Sequence, residues 1–149
     1  MNSYTHLLVP SDGSALSTKA LHEAVKLARC CGARITLVHA QTRVPLPVVG
    51  MGDMLDAHTM EALIAATRRE SDRLLEEARA IATAAGISFS CERVESDLPH
   101  KVILETAGRL GCDLIVMGSH GRRGLQGLLL GSETQRVLLS APCPVLVVR

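Results

Sequence analysis

Asp113-Leu114-Ile115-Val116-Met117-Gly118-Ser119-His120-Gly121 is the stretch on which the fold turns. Leu114 to Met117 form a nearly continuous apolar run, the pattern of a strand covered on both faces within a parallel sheet. The run ends on glycine and passes through Arg122-Arg123-Gly124-Leu125-Gln126-Gly127-Leu128-Leu129-Leu130 to Gly131-Ser132. A helical pattern over Glu133 to Leu139 follows at once. A central parallel strand that feeds a helix through a glycine-rich loop predicts an α/β protein, because parallel neighbours need crossover helices on the sheet faces.

The same alternation holds outward along the chain. Upstream, a helix is predicted from about Asp97 to Leu110 and a strand near Ile87 to Val94. Residues 57 to 85 carry Met60, Leu63, Ile64, Leu74, Leu75, Ala78, Ile81 and Ala82 at helical spacing, one long amphipathic helix ending at Gly86. Residues 41 to 56 contain Pro45, Pro47, Gly50 and Gly52, and a connection of that length reads as a flap. A strand over Ile35 to Ala40 precedes it. Before that, Ser14 is the N-cap of a helix through Leu16, Ala20, Leu21, Ala24, Val25, Leu27 and Ala28, which Gly32 stops. The chain opens on the strand Leu7-Leu8-Val9-Pro10 and the turn Ser11-Asp12-Gly13-Ser14. Downstream, Pro142 and Pro144 lead to a last strand, Val145 to Val148. Five strands and four helices make a single doubly wound, mostly parallel Rossmann-like sheet with helices on both faces and one domain over residues 1–149. Ligands of such sheets sit beyond the carboxyl ends of the strands where strand order reverses, which directs attention to the turns after strands one, two and four.

Composition narrows the function. The 149 residues are 47% hydrophobic, with Tyr4 and Phe89 the only aromatics besides histidine, so the core is aliphatic and no aromatic platform exists for stacking bases. A net charge of +1, from 16 basic and 15 acidic residues dispersed along the chain, leaves no footprint for nucleic acid or a membrane surface. No apolar run approaches the roughly 18 residues of a membrane span, and a cytoplasmic protein is expected. Cys30, Cys31, Cys91, Cys112 and Cys143 are odd in number and lack CxxC spacing, which indicates reduced thiols rather than a disulfide framework or a zinc site.

Gly118, Gly121, Gly131 and Ser132 stand in the spacing G-x2-G-x9-G-[S/T]. Here the chain resembles the ATP-binding universal stress proteins, whose phosphate-binding signature this is. Val9-Pro10-Ser11-Asp12-Gly13-Ser14, the element order and the closing Ala141-Pro142-Cys143-Pro144-Val145-Leu146-Val147-Val148 are similar to that family as well. The resemblance implies an adenine nucleotide α-hydrolase-like fold, ATP as ligand with magnesium, and a regulatory role in the stress response. It also implies a homodimer formed by pairing Val145–Val148 with its copy. Glycines let backbone N–H groups approach phosphate oxygens, and Gly131 and Ser132 would present the amides and positive dipole end of the last helix. The alternative is that these glycines only shape a turn and start a helix.

By the same resemblance Asp12 lies near adenosine, where a carboxylate accepts from adenine or ribose; its other reading is an Asx-turn capping the first helix, and both can hold at once. Ala40 matches a small residue whose backbone meets the adenine edge. Pro10 and Ser11 line the same place, and Met117 leads into the loop. Neutralising phosphate would fall to backbone amides, to Arg122 or Arg123, and to magnesium, since no lysine follows Lys101 and no P-loop G-x-x-x-x-G-K-[ST] occurs. Adjacent arginines seldom point the same way, so only one of the pair would reach phosphate. Glu133, between Ser132 and Thr134, departs from the family, where an apolar residue is more usual. It suits the first turn of a helix yet would repel phosphate unless it points away or helps hold magnesium. His39 and His120, with Asp12, are candidates for a divalent metal or for acid–base chemistry, His120 and Glu133 are the local candidates for a general base, and a loop hydrogen bond is the preferred reading of His120.

The absence of a placed lysine favours holding ATP over cleaving it. A slow ATP hydrolase and an interaction module that binds no nucleotide remain the alternatives, and no catalytic residue is assigned.

Overall fold

The computed structural model describes residues 4–45, 56–122 and 130–149. Its elements run β1 (His6–Pro10), α1 (Ala15–Cys31), β2 (Arg34–Gln41), α2 (Ala57–Ala84), β3 (Phe89–Glu95), α3 (Pro99–Leu110), β4 (Leu114–Gly118), α4 (Ser132–Ser140) and β5 (Val145–Val148). Every strand pair is parallel, and the order across the sheet is β3-β2-β1-β4-β5. The chain steps outward from β1 to β2 and β3, then crosses back to lay β4 on the other side of β1. Order therefore reverses between β1 and β4, and the carboxyl ends of these two strands flank the crevice that such a reversal opens.

Side chains alternate across the central strands as a period of two requires. Leu7, Val9, Ile35, Leu37, Leu114 and Val116 point into a core shared with α1 and α2. Leu8, Val38, Ile115 and Met117 point into a second core with α3 and α4. Leu7, Leu8, Val9, Leu37 and Ile115 are wholly buried, each contributing roughly 1.5–3 kcal/mol as the upper estimate for such a side chain.

Local signals set the helix ends. The Ser14 hydroxyl accepts from the Ser17 amide at 3.2 Å to start α1, and Gly32 ends it in the left-handed region at φ 69°. Asp56 caps α2 by accepting from the Thr59 amide at 2.6 Å. The cap that ends α2 is Ala85, and Gly86 follows it at φ 70°. Leu98 has no side-chain oxygen to cap α3, which begins instead on Pro99.

The expected flap over 41 to 56 is shortened at one end, because Gln41 is the last residue of β2 and pairs with Glu95. Residues 46–55 lie outside the described part of the chain. β5 is an edge strand, as its position at the end of the order dictates. Among the described residues, no helix is long and apolar enough to cross a membrane.

Candidate functional site

β1 ends on Pro10, and the Ser11 amide makes the last bond to β2, to the Val38 carbonyl at 2.9 Å. In a parallel ladder the residue that accepts this bond faces the neighbour with both its backbone groups, as does every second residue after it. Ala40 is two residues on from Val38. Its N–H and C=O therefore face the β1 side past the end of β1, presenting a donor and an acceptor to the crevice.

The Ser11 carbonyl is taken by His39, whose Nδ1 lies 2.9 Å away. A carbonyl only accepts, so Nδ1 carries the proton. His39 Nε2 meets Ser71 Oγ at 3.2 Å, and Ser71 Oγ meets Gln41 Oε1 at 3.0 Å. This chain of polar groups, with Ser71 and Gln41 buried, ties the ends of β1 and β2 to α2. His39 is thus spent on structure, and no three His, Cys, Asp or Glu residues group as metal ligands among the described residues.

Asp12 bridges two loops. Its Oδ1 accepts from the Ser14 amide at 3.0 Å, the Asx-turn expected at the start of α1, and its Oδ2 accepts from the Arg122 amide at 2.7 Å across the crevice. Burial pushes this carboxyl up, but the bonds from the Ser14 hydroxyl and from the Arg122 and Ser14 amides outweigh it. The group sits below the ordinary aspartate value.

The glycines follow from this close approach. A Cβ on Gly121 would overlap Asp12 Oδ2. One on Gly118 would stand 3.0 Å from Leu16 Cγ, and one on Gly131 would stand 3.1 Å from His120 Cα. None of the three rests on a left-handed backbone; each is small because another segment passes directly over it.

The far wall is the start of α4. The Gly131 amide donates to the Ser119 carbonyl at 2.6 Å, the Ser119 amide to the Val148 carbonyl at 2.8 Å, and Thr134 Oγ1 to the Gly118 carbonyl at 3.0 Å. Ser119 and Thr134, both buried, thereby fix the end of β4 against α4. Gly131, which has no side chain to cap the helix, occupies the cap position at φ −70°, ψ 158°. Among the described residues no side chain caps the first-turn amides of Ser132 and Glu133, and the helix dipole favours a negative acceptor there.

Glu133 turns away from this end. Its Oε2 accepts from the His100 amide at 2.7 Å and faces His100 Nδ1 at 2.8 Å, while its Oε1 meets Arg136 Nη1 at 2.6 Å. It caps α3 in the place of Leu98. Burial raises its carboxyl, but His100 and then Arg136 bring it below the ordinary glutamate value. His120 is exposed, with Nδ1 3.3 Å from Ser119 Oγ.

Pro10, Ser11, Asp12, Ala40, Gly118, Gly121, Arg122, Gly131, Ser132 and Thr134 thus converge on the reversal between β1 and β4. Met117 belongs to the α3/α4 core, its backbone alone leading to the loop, and Arg123 lies outside the described residues. The start of α4 fits a phosphate. Magnesium fits less well, since the carboxylates of Asp12 and Glu133 are both engaged by protein donors. Sequence reasoning did not find Ser71, Gln41 and His100, whose partners lie about 30 residues away and carry no local mark.

The universal stress protein family model matches residues 3–149, and the chain belongs to that family. It is 32% identical to a universal stress protein of Methanocaldococcus jannaschii over 151 residues, covering 99% of this chain and 84% of the relative. Among solved structures it resembles the universal stress protein UspA of Lactobacillus plantarum, with TM-score 0.82, 26% identity and 98% coverage of both chains. It also resembles a universal stress protein solved in complex with cAMP, with TM-score 0.68, 25% identity, 99% coverage of this chain and 98% of the other.

Proposed function

We propose that this chain is a cytoplasmic ATP-binding regulatory protein of the stress response, acting as a nucleotide-dependent dimeric switch. The observation that carries the reading is the start of α4, which follows β4 at the reversal point of the sheet and has no side-chain cap among the described residues, while Ala40 offers a donor and an acceptor past the end of β1. That spacing of a polar edge and an anion site suits adenine at one end and phosphates at the other. The neighbour in complex with cAMP supports the adenine nucleotide class. In this reading Gly118, Gly121, Gly131, Ser132, Glu133 and Thr134 supply backbone to the phosphates. Pro10, Ser11, Asp12 and Ala40 line the adenosine end, and magnesium is carried on the phosphates themselves.

Holding rather than turnover is favoured by the side chains nearby. His39 and Glu133 are committed to structural partners, and no cation of the P-loop kind is present. A dimer through Val145–Val148 is supported by the edge position of β5 among the described strands and by the exposed Leu138, Leu139 and Leu146 of α4 and β5.

Calorimetric titration of the nucleotide-stripped protein with Mg-ATP tests the reading, beside a folded Gly121→Val, Gly131→Val variant. Saturable micromolar binding, lost in the variant, is expected. A parent protein that takes up no adenine nucleotide would overturn it and leave an interaction module as the better account.

A further inference from the structure

Glu70 and Ser71, neighbours on α2, are where the loops of the crevice attach to that helix. Ser71 holds His39, and His39 holds the Ser11 carbonyl. Glu70 Oε1 lies 3.5 Å from Arg122 Nη2, which reaches it from the glycine loop. Arg122 gets there by crossing the bare face of Gly13. Its Nη2 is 2.9 Å, and Leu74 Cδ1 is 3.0 Å, from the point where a Gly13 Cβ would stand, and Gly13 is left-handed at φ +77°. Ser11, Gly13, Glu70, Arg73 and Leu74 line one small depression beside the crevice.

Among the described residues, Arg122 is the looser of two partners of Glu70. Arg73, one turn further along the same helix, grips the carboxylate twice, Nη2 to Oε1 at 3.0 Å and Nε to Oε2 at 3.3 Å. Arg73 first, and Arg122 after it, hold the carboxyl below its ordinary value. A departure of the Arg122 guanidinium would leave Glu70 still paired, so the guanidinium moves at small cost. Its root does not move with it, because the Arg122 amide is fixed on Asp12.

We propose that Glu70 is a specificity-determining residue of the nucleotide crevice, a counter-charge that competes with ligand phosphates for Arg122 and so restrains the affinity for polyphosphates. The inference rests on the nucleotide reading above. A ligand with more phosphate charge both draws Arg122 more strongly and is repelled more by Glu70, so removal of the carboxylate charge acts chiefly on ATP and little on AMP. The restraint keeps bound ATP exchangeable, which a switch that follows nucleotide level requires.

The test is a cycle of four proteins, the parent, Glu70→Gln, Arg122→Ala and the double variant, each titrated with ATP and with AMP. Glu70→Gln is expected to tighten ATP about three- to fivefold while AMP changes less than about twofold. In the Arg122→Ala background the gain from Glu70→Gln is expected to fall below about twofold. An effect equal for both nucleotides would mark Glu70 as merely supporting α2. A gain that persists without Arg122 would equally overturn the proposal. A parent protein that binds neither nucleotide would instead refute the underlying reading, and this inference with it.

Discussion

Two aspartates hold the two ends of the sheet, and they do so in opposite circumstances. At the amino ends of the strands, Asp113 accepts from the Thr5 amide at 2.8 Å, the Thr5 hydroxyl at 2.7 Å and the His6 amide at 3.0 Å. It joins the starts of β1 and β4, which are already neighbours in register, Leu7 beside Leu114. At the carboxyl ends, Asp12 accepts from Ser14 and Arg122, and the segment it holds is a loop rather than a paired strand. The first clasp repeats what the ladder enforces, whereas the second sets the position of backbone that no ladder holds. Stability is expected to depend on both clasps, and ligand affinity on the surroundings of Asp12 alone.

Gly121→Ala is the sharpest way to break the second clasp, since the added methyl displaces Asp12 Oδ2 from the Arg122 amide. Nucleotide affinity by calorimetry is expected to fall more than about tenfold, with stability reduced by about 1–2 kcal/mol for strain and a lost bond. An affinity within twofold of the parent would mean that the clasp does not shape the site.

Asp113→Asn addresses the other end. It should cost about 1–2 kcal/mol at pH 7 in a denaturant titration, a figure already reduced for partial solvent screening, and leave nucleotide affinity unchanged. The pH dependence gives the sign. The Asp113 carboxyl is pushed up by burial but brought below its ordinary value by Thr5 and His6. Its contribution is therefore full above the unfolded value near about pH 4 and is lost as pH falls through the lower folded value. The gap between parent and variant should narrow below about pH 4, and a gap that widened in acid would contradict the assignment.

The smallest effect is expected at Glu133. Glu133→Gln keeps the shape of the side chain but weakens its bonds to His100 and Arg136. It should cost about 0.5–1 kcal/mol, with ATP affinity altered less than about twofold, because the carboxylate faces α3 rather than the phosphates. A large gain in ATP affinity would instead place the carboxylate beside the ligand.

The comparison also shows what was legible beforehand. The Asx-turn of Asp12, the Ser14 cap and the Gly32 stop involve groups two to five residues apart, and such local chemistry is written in adjacent letters. The strand and helix order followed from apolar periodicity, and the end of β4 was readable because its run is apolar on both faces. The other half of Asp12's task was not, since its partner lies 110 residues away and contributes a backbone amide that no residue type announces. Glu133 stood out as a misplaced charge near phosphate; its role as a cap for α3 needed the packing of α4 beside α3, which periodicity does not supply. The spacing of Gly118, Gly121 and Gly131 predicts room for phosphate. Part of it is room for Asp12, Leu16 and His120.

α2 carries a consequence of its own. All four of its buried residues, Ser71, Leu74, Ala78 and Ala82, belong to its second half, and none belongs to residues 57–70. The helix is continuous in hydrogen bonding but divided in what anchors it. Its first four turns can unwind without disturbing either core, whereas the last four open only when the sheet itself comes apart. Amide protons should record that division as a step in exchange rate at Glu70 and Ser71, the pair through which the crevice grips the helix.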